Sequence, residues 1–262
     1  MFQPVLPLSG LAGWQMLSRT MQAQTRAFDA TPRIARDTAY FEARIGTLDT
    51  ASDLTADRRL LRVALGAFGL QDDINNRYFI RKVLESDLSD RRALANALSD
   101  DRYRQLSEAF GFGDSKTGPR THDPGFGKKI TDAFRTRSFE SAVGDQDQSL
   151  RLALNAKREL ADIATSGVAD KTAWFRILGT PPLRTVFETA FGLPQSFGQL
   201  DIDQQLQAFR SMAHDKLGIN SISDFKDGAV GEQLIQTYLL RDQIRSTSGM
   251  SAQSIALALL QP

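Results

Sequence analysis

Apolar residues recur along this chain at three- and four-residue spacing, and segments alternating every second position are almost absent. That spacing lines one face of a helix, so the pattern predicts an all-α protein of many short to medium helices. Trp14, Leu17 and Met21 mark a first helix over about Gly10–Phe28. Thr31-Pro32 reads as an N-cap followed by proline at the first helical position, where its missing N–H costs nothing, and predicts a helix to about Ile45. A third begins near Thr55, with Leu60, Ala64 and Phe68 on one face and Gly69 as its C-cap. Asp72-Asp73 suit the positive end of the next helix, which carries Ile74, Tyr78, Phe79 and Val83. Shorter helices are expected near Asp90–Leu98 and Asp101–Phe110.

Residues 111–127 interrupt this pattern with Gly111, Gly113, Gly118, Pro119, Pro124, Gly125 and Gly127, a composition that predicts an exposed loop. Helices are expected over about Lys128–Val143 and Asp147–Ala164, then Leu183–Phe191, Asp201–Leu217, Glu232–Arg245 and Ser251–Leu260.

Two internal echoes point to duplication. Gly144-Asp-Gln-Asp-Gln-Ser-Leu-Arg-Leu-Ala-Leu154 returns as Gly249-Met-Ser-Ala-Gln-Ser-Ile-Ala-Leu-Ala-Leu259, and Val63 followed by Ala67-Phe-Gly-Leu70 returns as Val186 followed by Ala190-Phe-Gly-Leu193. Their preserved order predicts two diverged copies of a helical unit packed together, each repeated segment being a glycine turn that enters a helix. The resulting division is an N-terminal arm with helices over 1–50, a first unit over 51–165 and a second over 166–262.

Composition narrows the chemistry. The 262 residues hold 41% apolar and 24% charged side chains, as soluble globular proteins do. A net charge of +1, with both signs interspersed as in Asp57-Arg-Arg59, predicts no strong phosphate-binding face and no nucleic-acid partner. Without cysteine there is no disulfide and no thiolate chemistry. Met1-Phe-Gln-Pro-Val-Leu-Pro-Leu8 lacks a basic segment and is broken by prolines, unlike a secretory signal. No apolar run approaches the length of a membrane-spanning helix, so an integral membrane protein is not expected and a cytoplasmic location is.

No catalytic or metal-binding motif stands out. His122 and His214 are isolated, and His122 reads as a surface-loop histidine. Gly125-Phe-Gly-Lys-Lys129 fails as a phosphate loop because His122 and Lys129 stand where glycine and Ser/Thr are needed. Asp145-Gln-Asp147 and Asp201-Ile-Asp203 read as helix N-caps rather than calcium ligands. Neither cofactor nor metal is expected. The Ala-Phe-Gly triplets at Ala67, Ala109 and Ala190 read as core aromatics followed by helix-ending glycines. Candidates for contact with a partner are Phe2, Val5 and Leu8 on the proline-stiffened arm, Trp14 beyond it, and Arg151, which the second copy replaces by Ala256.

Phe139 to Leu160, Asp57 to Leu70, Pro7 to Trp14 and Tyr238-Leu-Leu-Arg241 together resemble domain-of-unknown-function family 1217, uncharacterised alphaproteobacterial proteins often encoded in flagellar gene clusters. The resemblance implies a protein partner from the flagellar system. The expected function is a non-enzymatic helical interaction protein: an accessory, adaptor or chaperone in flagellar assembly or motility. Two alternatives are a flagellar structural subunit exported by the flagellar secretion apparatus, and an enzyme whose paired carboxylates leave no motif.

Overall fold

The fold was obtained as a computed structural model that describes residues 3–260; for residue 195 and residues 247–260 it describes the backbone alone. Among the described residues there are thirteen α-helices, five short 3-10 turns and no strand, so the protein is all-α. The chain divides into two compact units, Thr20–Ala142 with Met1–Pro4, and Val143–Pro262 with Val5–Arg19. The division falls after Ala142 rather than after residue 165, and the segment leading into the first helix joins the later half of the chain.

In the first unit, α2 (Pro32–Arg44) starts at proline as expected, but the Thr31 hydroxyl does not cap it. Instead it donates back to the Phe28 carbonyl at 2.7 Å. The helix expected from Thr55 is two helices, α3 (Ala51–Ala56) and α4 (Arg58–Phe68). The break lies at Asp57, whose carboxylate accepts from the Arg59 and Leu60 N–H groups and so begins α4. Asp72 and Asp73 lie in a 3-10 turn before α5 (Arg77–Leu84) rather than in its first turn. The Asp73 carboxylate is drawn away to the Tyr103 hydroxyl and the Asn76 amide, each at 2.7 Å.

The helix expected from Asp90 shrinks to α6 (Leu94–Ala97) because side chains satisfy the preceding backbone. Asp90 accepts from the Arg92 N–H, and the Asn96 amide donates to the carbonyls of Leu88 and Asp90. After α7 (Asp101–Phe110), α8 (Phe126–Gly144) follows the glycine-rich segment. Phe41, Leu54, Leu60, Leu61, Leu65, Ile80 and Leu106 fill this core, and Phe110 meets the rings of Phe68, Phe112 and Phe126.

In the second unit, the start of α1 (Gly10–Asp29) joins α9 (Gln148–Thr165), α10 (Asp170–Gly179), α11 (Pro181–Phe191), α12 (Ile202–Leu217) and α13 (Gly228–Leu260). Helices α9, α11 and α13 pack on one another. Phe187 centres the core, with the rings of Trp174, Phe191, Phe209 and Phe225 within about 6 Å of it. Helix α10 was not expected from the sequence, although Trp174, Ile177 and Leu178 are all buried at helical spacing.

The two echoes part company here. Helices α4 and α11 are both eleven residues long and end alike. Gly69 and Gly192 are left-handed, at φ 71° and 70°. Leu70 N–H returns to the Leu65 carbonyl, and Leu193 N–H to that of Glu188. Gly144, by contrast, ends α8, and the Asp147 carboxylate caps α9 through the Leu150 N–H. Gly249 lies inside α13, so the expected second turn is absent. The sequence supplies the reason: Ala252 stands where the first copy has Asp147, and alanine offers no acceptor to start a new helix. The side chains of this second segment lie outside the described residues.

Candidate functional site

The residues expected to meet a partner are scattered. Phe2 lies outside the described residues. Val5 and Leu8 are about half exposed, at 55% and 53%. The Leu8 carbonyl lies 2.2 Å from where a Cβ on Gly13 would stand, so the glycine lets the arm fold close onto the start of α1. Trp14 is a correction: it is fully buried, its indole N–H donates to Glu232 Oε1 at 2.6 Å, and Lys157 lies over its ring. An amphipathic aromatic at that depth anchors α1 to α13 and presents nothing to a partner. Arg151 is half-buried and lies back along its own backbone. Its Nε donates to Gln148 Oε1 at 2.9 Å, and its Cδ lies 2.2 Å from the position a Cβ on Gly144 would take.

His122 is on the surface, as expected, but tied down. Its two ring nitrogens face the Gly46 carbonyl at 2.9 Å and Asp49 Oδ1 at 3.0 Å. The Asp147 and Asp201 carboxylates cap α9 and α12. Among the described residues no group of three His, Cys, Asp or Glu side chains is placed to hold a metal ion.

Two concave sites among the described residues bear on function. The first, about 640 Å³, opens in the second unit between the end of α11 and the middle of α13. Glu188 and Thr189 line one side, Arg241, Ile244 and Arg245 the other, and Leu193 and Pro194 its end. Arg241 Nη1 lies 2.0 Å from where a Cβ on Gly192 would stand, so this left-handed glycine both ends α11 and admits the guanidinium. Lys216 reaches the same helix end and donates to the Phe191 carbonyl at 2.6 Å. Burial, reinforced by Arg241, holds its ammonium below the usual lysine range. Two cations thus meet the negative end of α11. Beside the groove, Leu240 and Ile244 stand one helical turn apart and are 47% and 66% exposed.

Glu188 is the single carboxylate in this lining and is held by Arg184 at 2.7 Å. The groove therefore does not offer the carboxylate pair of the enzymatic alternative. Elsewhere, burial raises the Asp29 carboxyl above the ordinary range, opposed by Arg135 and aided by Asp132. Asp132, however, is neutralised by Lys128 at 2.5 Å and Arg135 at 3.1 Å.

The second site, about 490 Å³, lies in the first unit between α2 and α4 and is lined by Arg33, Arg36, Asp37, Arg58, Arg59 and Arg62. Asp37 is buried, and its two oxygens accept from Arg59 Nε at 2.8 Å and Arg62 Nη1 at 3.2 Å. Sequence reasoning missed this cluster. Its signal was arginine at helical spacing in two segments, Arg33 with Arg36, and Arg58 with Arg62, which only the packing of α2 on α4 unites.

Fold and sites together define an all-helical protein with an open groove on one unit and an arginine cleft on the other. Residues 67–230 match the family described as protein of unknown function (DUF1217), and the chain belongs to that family. It is similar to an Agrobacterium tumefaciens protein solved by X-ray crystallography in a structural-genomics programme, with a TM-score of 0.72 and 26% sequence identity. That likeness covers 93% of this chain and 99% of the other. No curated protein matches the chain. No helix among the described residues is long and apolar enough to cross a membrane.

Proposed function

We propose that the protein is a non-enzymatic helical interaction protein, an accessory, adaptor or chaperone in flagellar assembly or motility, and that it docks its partner along α13. The observation that carries the docking surface is the exposed Leu240–Ile244 strip beside the Arg241 groove. Exposed apolar residues flanked by arginine and closed at one end by Leu193 and Pro194 have the make-up of an interface core with a polar rim. The flagellar setting is inferred from the resemblance of the sequence motifs to a family often encoded among flagellar genes.

The test is affinity capture from motile cells with the wild-type chain and the Leu240→Asp/Ile244→Asp double variant. Wild type is expected to recover a flagellar protein and the variant to lose it with its helical circular dichroism intact. Recovery of no flagellar protein by wild type, or equal recovery by both, overturns the reading.

A further inference from the structure

The arginine cleft on the first unit has more cationic capacity than the protein uses. Five guanidinium groups share a cleft with one carboxylate, Asp37. Asp37 fixes Arg59 and Arg62, each about one-third exposed, at the floor. Around them, Arg36 spends its Nε on the Pro32 carbonyl, Arg58 one Nη on Asn75 Oδ1, and Arg33 has no partner among the described residues. Each guanidinium carries five donors in a planar fork, so the bonds named engage only a minority of them. All three rim arginines are exposed.

We infer that this cleft binds a short acidic segment of a partner protein through its Asp and Glu carboxylates. Arg59 and Arg62 on Asp37 show the geometry in miniature: one carboxylate taken by two guanidiniums, one to each oxygen. The alternative oxyanion, phosphate, also fits guanidinium forks and gains most where a helix N-terminus adds its backbone N–H groups. Both helices narrow that route. Pro32 removes an N–H at the start of α2, and the Asp57 carboxylate occupies those of Arg59 and Leu60 at the start of α4. A nucleic acid would also look for an aromatic platform. The Tyr40 ring is already covered by the Arg59 guanidinium, 4.6 Å from its centroid. What remains are side-chain forks spread along two helix faces, which suit carboxylates spaced along a peptide.

This site is independent of the α13 groove, and either proposal stands if the other fails. The probe is a fluorescein-labelled Glu-rich dodecapeptide, followed by anisotropy at low salt, with a Lys-rich dodecapeptide and a single-stranded oligonucleotide as comparators. The wild-type chain is expected to bind the acidic peptide in preference to both. The Arg33→Ala/Arg36→Ala/Arg58→Ala variant, which alters exposed rim residues alone, should bind about tenfold more weakly. Raising salt from about 50 to about 300 mM should weaken wild-type binding, because the shortened Debye length screens the rim charges. Absence of binding at low salt, equal affinity in the variant, or tighter binding of the oligonucleotide overturns the proposal. The peptide-against-oligonucleotide preference and the salt titration need no variant, so the test holds even if the triple variant misfolds.

Discussion

Tyr238 is buried in the second unit, and burial together with the nearby Asp242 charge pushes its hydroxyl up to about 12. Burial and a hydrogen bond to Asp73 take Tyr103 to about 12 as well. Both folded values exceed the value near 10 of an unfolded tyrosine, so folding favours the neutral phenols. Their contribution to stability is complete below pH ~10 and is lost as pH rises through ~12. Ultraviolet titration of the native protein should therefore leave at least two of its four tyrosines unionised near pH ~11, whereas the denatured chain titrates near ~10. A single native transition near 10 would contradict this. Residue-level reading of the sequence succeeded where function is local. Each Ala-Phe-Gly triplet does end a helix on a left-handed glycine, at Gly69, Gly111 and Gly192, because the cap needs only its own turn. It failed at Trp14, whose fate is decided by Glu232, a partner no local pattern reveals.

Among the helices, the most telling contrast is between two N-caps that look alike in sequence. Asp57 caps α4 through two N–H groups and also accepts from the Tyr40 hydroxyl at 2.7 Å. Thr31 precedes α2 without capping it. Asp57→Ala should cost ~1–2 kcal/mol, the usual loss for such a cap, and Thr31→Ala within ~0.5 kcal/mol. Urea denaturation of both variants checks this, and equal midpoints would show that the caps do not differ. Most helices were legible because each follows its own apolar face and punctuation. The exceptions have physical causes. Asp73 is diverted by Tyr103, and the turn before α6 is satisfied by Asn96. Helix α10 had a readable signal in Asp170 ahead of Trp174, Ile177 and Leu178 at helical spacing.

Over the whole molecule the charges nearly cancel, at +1 net with an isoelectric point of about 8.0. Colloidal repulsion is weakest there, so solubility should pass through a minimum near pH 8.0, measurable by turbidity between about pH 6 and 10. A flat profile would refute it. The same balance explains why the arginine cleft was illegible: averaged over 262 residues, five clustered cations vanish into the total. The α11–α13 groove was equally hidden, since its walls come from segments some fifty residues apart whose pairing is a property of the packed core. Burial of Trp14 against Glu232 carries a further consequence, one of time. The two residues are separated by 218 positions. At a ribosomal pace of about 5–20 residues per second, the indole emerges roughly 10–40 s before its partner is made. Through that interval the start of α1 is an orphan apolar segment on a nascent chain, and the second unit closes only once α13 has been made.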